Sequence, residues 1–210
     1  MPLQSCARRL SGVLALPALL LLGACVTSPL QSPGWQAHRN SVTQVTNWHL
    51  DGRLNVRQGQ ESDTVNLNWR QTGDRVSIRL SATLLGLGGV LIDGDDTSVT
   101  IEKNGEQPRV LPGLDALGDE YLDYDFPAAY LRWWVRGLPV PSLPATPVLD
   151  QNQLLYSLVQ TAPHGQRWEL TFDRYEQVDA VILPRRIRLL SQDVQLTFLI
   201  SDWQLSHVEH

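Results

Sequence analysis

Thiols are absent from the body of this 210-residue chain, because its only two cysteines, Cys6 and Cys25, both lie close to the N-terminus. That excludes a cysteine nucleophile, a zinc ribbon and a redox pair from the folded part. It also excludes disulfides, so stability has to come from burial. Phenylalanine is scarce, with 3 residues against 7 tryptophans, and tryptophan is common where apolar surface meets water or another molecule. Lysine is scarce too, and 17 basic residues face 22 acidic ones for a net charge of -5. An acidic, lysine-poor chain does not suit nucleic acid, whose phosphates must be neutralised, and argues against broad adhesion to anionic lipid. No G-x-S-x-G elbow, H-E-x-x-H pair or Walker loop occurs. Leu85-Gly86-Leu87-Gly88-Gly89 lacks the Lys-Ser/Thr that a phosphate loop requires. Neither catalysis nor a cofactor is expected.

What is present begins with an apolar run from Leu10 to Leu22 behind Arg8 and Arg9. Broken by Ser11, Gly12 and Pro17, it is short of the roughly 20 residues that a membrane span needs, and it reads as a secretory signal. Leu22-Gly23-Ala24-Cys25 resembles the lipobox of bacterial lipoproteins. That resemblance implies cleavage of residues 1–24 and acylation of Cys25, three acyl chains making a stable anchor. Removing residues 1–24 takes Lys+Arg from 17 to 15 against 22 acids, so the remaining 186 residues carry -7. Residues 25–34, with Pro29, Pro33 and no periodicity, read as a tether, and residues 35–210 as one domain.

Trp35, His38, Val42 and Val45 recur at helical spacing. From Trp48 the period becomes two: Trp48, Leu50, Gly52, Leu54 and Val56 alternate with polar residues. Val65, Leu67 and Trp69, then Val76, Ile78 and Leu80, do the same across Gly59 and Gly73 turns. Further strands are expected at 90–92, 99–101, 109–111, 154–159, 168–172, 186–190 and 194–200. Two short helices interrupt them, one through Leu114, Leu117, Tyr121 and Leu122, the other from Ala128 to Leu138, begun by Pro127 and stopped by Gly137 and Pro139. Pro141, Pro144 and Pro147 read as an extended connector. This order predicts a mainly β, α+β fold: one curved antiparallel sheet of about ten or eleven strands, an incomplete β-barrel covered by helices. A hydrophobic cavity fits between sheet and helices, and a solid core fits the pattern equally well.

Asp93, Asp95 and Asp96 read as turn acids, and Asp119, Glu120, Asp123 and Asp125 as helix-end solvation. His207 and His210 lack a third ligand, so no metal site is expected. Leu84, Leu85 and Leu87 with Gly86 occupy a loop where turns are normally polar. Leucines at such a tip either fold into the core or protrude towards something apolar.

Several stretches together resemble the LolB family of outer-membrane lipoproteins. They are the lipobox, Trp35 with His38, Gly52-Arg53-Leu54, Asn68-Trp69-Arg70-Gln71, Arg79-Leu80 leading to Leu85-Gly86, Leu131-Arg132-Trp133-Trp134-Val135-Arg136-Gly137-Leu138-Pro139 with Pro141, Leu183-Pro184, and Asp202-Trp203. The resemblance implies an incomplete barrel lidded by helices over a hydrophobic cavity. It implies a receptor that accepts lipoproteins from a soluble, LolA-like periplasmic carrier and inserts them into the outer membrane without nucleotide hydrolysis. By position Leu85 looks like the exposed leucine of the family's protruding loop, although Leu84 stands where the family commonly has proline. Val26 after Cys25 looks like an outer-membrane address.

Candidate acyl-chain contacts are Leu50, Leu54, Val65, Leu67, Trp69, Ile78 and Leu80, with Leu131, Trp134 and Leu138 from the lid. The expected partners are the carrier, the acyl chains of cargo lipoproteins and outer-membrane lipid, with the protein a monomer. Pattern alone leaves open a lipid-anchored binder of another apolar ligand, or a structural envelope lipoprotein.

Overall fold

The computed structural model describes residues 33–81, 89–121, 126–163, 165–192 and 194–206. Period-two alternation is the dominant local signal, and eleven strands answer it in one antiparallel sheet. The first six are β1 (Asn47–Gln58), β2 (Glu61–Thr72), β3 (Arg75–Ser81), β4 (Val90–Gly94), β5 (Val99–Lys103) and β6 (Arg109–Leu111). The other five are β7 (Thr146–Leu149), β8 (Leu155–Thr161), β9 (Arg167–Val178), β10 (Val181–Ser191) and β11 (Val194–Leu205). Each set is a meander of hairpins. The two join where β1 pairs with β11, giving the order β6-β5-β4-β3-β2-β1-β11-β10-β9-β8-β7. The first and last strands of the chain thus form the centre of the sheet.

Residues 112–145 connect β6 to β7, the two edge strands. Laid flat, an eleven-strand sheet spans about 48 Å from edge to edge. The connector crosses on one face and packs Leu114, Phe126, Leu131, Trp134, Val135 and Leu138 into the same buried cluster as the strands. It contains α2 (Ala116–Tyr121), a 3-10 turn (Ala128–Tyr130) and the single-turn α3 (Leu131–Trp134). The α1 helix (Trp35–Thr43) also packs on the sheet and buries His38 and Val42.

Two details depart from the sequence expectation. Pro147 belongs to β7 and not to an irregular connector; β7 is an edge strand, the place in a sheet where a missing N–H is tolerated. The Ala128–Leu138 helix is broken into the 3-10 turn, α3 and a further turn ending at Gly137, whose φ of 74° reverses the chain.

Buried polar groups fasten the lid. Gln160 of β8 is 1% exposed and accepts from both Trp134 Nε1 and Val140 N at 2.9 Å, while its Nε2 donates to Val140 O at 3.1 Å. Arg136, 5% exposed, donates to Val45 O at 2.6 Å, to Val42 O at 3.3 Å and to Arg132 O at 2.8 Å. Its guanidinium lies 5.1 Å from the centre of the Trp133 ring. Burial, with the neighbouring Arg132 charge, lowers its pKa to about 10. The carbonyls at the C-terminal end of α1 supply partial negative charge to it, and among the described residues no carboxylate pairs with it. Arg132 reaches outward, to Asp96 at 2.7 Å and Asp74 at 3.4 Å.

Candidate functional site

Beneath the lid the two halves of the sheet differ. Over β8 to β10 the space is filled: Trp134 packs against Trp168 with ring centres 5.8 Å apart and against Tyr130 at 5.9 Å, and Leu158, Leu170 and Phe172 are buried around them. Over β1 to β4 and β11 a cavity of about 220 Å³ remains. Its walls are Leu54 and Val56 of β1, Leu67 and Trp69 of β2, Ile78 and Leu80 of β3, Val90 and Ile92 of β4, and Leu196 and Phe198 of β11. Leu114, Leu117, Phe126, Ala128 and Leu131 form the roof.

Among the described residues, no lining side chain carries a charge. The one polar side-chain atom among them, Trp69 Nε1, donates to Gln71 Oε1 at 3.1 Å and is satisfied. Such a space favours apolar matter, since a water molecule needs two or more polar partners to stay in it. The half-buried lining residues Leu54, Val56, Leu80, Val90 and Leu117 mark the side nearest solvent.

Of the residues singled out from the sequence, Leu54, Leu67, Trp69, Ile78, Leu80 and Leu131 line this cavity. Leu50, Val65, Trp134 and Leu138 stand outside its wall. Leu50, fully buried, pairs with Trp69 on one side and Trp203 on the other, within an aromatic layer that also holds Trp48. Val65 lies one position beyond the last described β2–β3 pair, Asn66 with Ser81. The Trp134 ring is drawn to the filled half by Trp168 and Gln160. Leu138, past the reversal at Gly137, borders a separate hollow beside α1 with Trp133 and Pro139.

Val56, Val90, Ile92, Leu196 and Phe198 carry the same alternation as the chosen residues and were legible as one face of a strand. Leu114, Leu117, Phe126 and Ala128 had only the weak signal of a short, interrupted helical pattern. Cys25, Leu84, Leu85, Gly86 and Leu87 lie outside the described residues, as do His207 and His210. The Asp95 carboxylate is engaged locally, accepting from Thr97 N at 2.8 Å, Thr97 Oγ1 at 2.6 Å and Ser98 N at 3.1 Å, which holds its pKa below the usual carboxylate range. Among the described residues, no helix is long and apolar enough to cross a membrane.

The sequence profile described as outer membrane lipoprotein LolB matches residues 46–203, a span that runs from β1 to β11 and includes the whole cavity wall. The chain belongs to the LolB family. The outer-membrane lipoprotein LolB of Stutzerimonas stutzeri is 34% identical over 194 residues, covering 89% of this chain and 91% of its own. That of Pseudomonas aeruginosa is 33% identical over 204 residues, covering 93% and 97%. Among solved structures, a LolA superfamily protein from Nitrosomonas europaea superimposes with a TM-score of 0.54 at 11% identity, covering 85% of this chain and 96% of that one. A putative outer membrane lipoprotein-sorting protein domain from Vibrio parahaemolyticus gives 0.53 at 10% identity, covering 83% and 92%. At such low identity the likeness to these two structures establishes a shared fold alone.

Proposed function

We propose that this LolB family member is an outer-membrane receptor that takes acylated lipoproteins from a LolA-like periplasmic carrier and passes them to the membrane without nucleotide hydrolysis or covalent catalysis. The observation that carries this reading is the cavity of about 220 Å³ whose lining, among the described residues, holds no charged side chain. A triacylated cargo exposes tens of methylenes, each worth about 0.8 kcal/mol, so unshielded passage through water is negligible. Transfer then needs only a descending series of apolar hosts: carrier, this cavity, bilayer. The hollow as it stands accommodates part of one acyl chain, since about 150 Å³ suffices for a benzene-sized guest. Larger cargo requires the lid to move off the sheet.

In this reading residues 1–24 are a cleaved signal, acylated Cys25 anchors the protein, residues 25–34 tether it, and residues 35–210 form the binding domain. Leu84, Leu85 and Leu87 with Gly86 deliver chains to the bilayer. The test is transfer of radiolabelled lipoprotein from purified carrier to this protein and on to outer-membrane vesicles. The wild-type chain should take cargo and release it, and Leu85→Glu should take cargo but retain it. A chain that takes nothing from the carrier, while still binding a fluorescent fatty acid, would identify a binder of some other apolar ligand instead.

A further inference from the structure

A second hollow, of about 800 Å³, lies on the other side of the sheet. Arg53, Asn66 and Leu199 line it, and each is a neighbour in sequence of a cavity residue, Leu54, Leu67 and Phe198. Alternation along β1, β2 and β11 therefore opens the two hollows on opposite faces of the same three strands. The second is polar, and Arg174 and Arg185 from β9 and β10 complete it.

Two interruptions of the strand ladder shape this groove. Between Asp51 and Gly52 the β1–β11 register shifts, leaving Ser201 as an extra residue whose hydroxyl donates to Asp51 O at 3.0 Å. The backbones close in so far there that a Cβ on Gly52 would stand 2.3 Å from Leu199 O. In β9, between the pairs Tyr175 with Pro184 and Asp173 with Arg186, Arg174 takes a left-handed backbone with φ of 54°. A side chain adopts that conformation at a cost, which is typically retained where geometry matters for function.

The three arginines are not equivalent. Arg185 is engaged: its Nε donates to Ile200 O at 3.1 Å, one Nη to Ser201 O at 2.7 Å, and the other lies 3.3 Å from Glu176. It spans the gap where β10 and β11 part, and Glu176 balances its charge. Arg53 and Arg174 are exposed, and among the described residues neither has an ion-pair partner. The groove thus presents two unmatched guanidiniums on a chain whose overall charge is negative. Of the chain's 17 basic residues, Lys103 alone is lysine. The planar guanidinium fork matches a tetrahedral oxyanion in a way that an ammonium does not.

We propose that the groove at the β1–β11 seam is a binding site for a phosphate group, held between Arg53 and Arg174. Free phosphate and a phospholipid headgroup present the same chemistry. The test uses the full chain in zwitterionic micelles, following the arginine Nε–Hε NMR signals. Inorganic phosphate, glycerol phosphate and micelles doped with phosphatidylglycerol are added in separate arms. Arg53 and Arg174 signals should shift saturably. Arg53→Gln or Arg174→Gln should each weaken binding roughly fivefold, as expected for an exposed charged pair. Arg53→Lys should weaken it by keeping charge and losing the fork. Arg79→Gln, which removes a charge from the same face outside the groove, should change nothing, and fluorescent fatty-acid uptake by Arg53→Gln should match wild type. Saturation by inorganic phosphate assigns the site to phosphate itself, and saturation by phosphatidylglycerol alone assigns it to the headgroup. The absence of saturable shifts with every probe, undiminished binding in both glutamine variants, or an equal loss in Arg79→Gln would each overturn the proposal.

Discussion

Leu80 and Val90 face each other as a register pair of β3 and β4, and both line the apolar cavity on its solvent side. Strands β3 and β4 therefore flank residues 82–88 with their ends at the cavity rim.

Filling the hollow should abolish binding without harming the fold. Leu54 is half-buried and lines the cavity beside Phe198, its partner across the β1–β11 pair. Leu54→Trp projects an indole into empty space, so little overpacking follows. Affinity for a fluorescent fatty acid should fall at least about tenfold, roughly 1.4 kcal/mol, with a melting temperature near wild type. Unchanged affinity would mean that the fatty acid binds elsewhere.

Gln160 should matter more to stability than its polar character suggests. Gln160→Ala leaves Trp134 Nε1 and both polar groups of the Val140 backbone buried without these partners. A loss of about 2–4 kcal/mol is expected from the stranded groups, measured by urea unfolding. A change below about 0.5 kcal/mol would show that water replaces the amide.

The two acids that hold Arg132 should be unequal. Asp74 is 88% exposed and stands at 3.4 Å, whereas Asp96 is 38% exposed at 2.7 Å. Asp74→Asn should be close to neutral and Asp96→Asn should cost about 1 kcal/mol, the latter shrinking as salt rises. Denaturation at low and high ionic strength separates them, and equal effects would contradict the geometry.

His38 gives the fold a pH dependence of defined sign. Burial lowers its pKa below the ordinary 6.5, so the folded chain resists protonation while the unfolded chain accepts it. Stability from this residue is complete above pH 6.5 and falls as pH drops below that value towards the folded pKa. Melting temperature measured from pH 7.5 to 5.5 should decline, and His38→Gln should flatten the decline. An identical slope in both proteins would place the proton elsewhere.

Strand periods are readable residue by residue, because alternation is a local property. Which face of the sheet turns inward, and what covers it, is not. Leu196 and Phe198 complete the cavity only because β11 returns to pair with β1, and no local pattern states which strands pair across the length of a chain. Trp134 shows the converse. Its helix was legible, yet its orientation follows from Trp168 and Gln160, contacts made on the far side of the connector. Pro147 reads in sequence as part of a connector yet lies in β7, because an edge strand forgives a proline that an interior one does not.

Pairing the first strand with the last also sets the order of events during folding. Trp48 meets Leu205 across the central seam, so the contact that unites the two hairpin stacks is among the most distant in the molecule. A ribosome delivers β1 long before its central neighbour β11. Closure of such long loops is slow relative to local hairpins. The nascent polypeptide therefore holds one side of β1 unsatisfied until residues 194–205 have emerged, and deleting that whole strand would leave two half-sheets with no common middle.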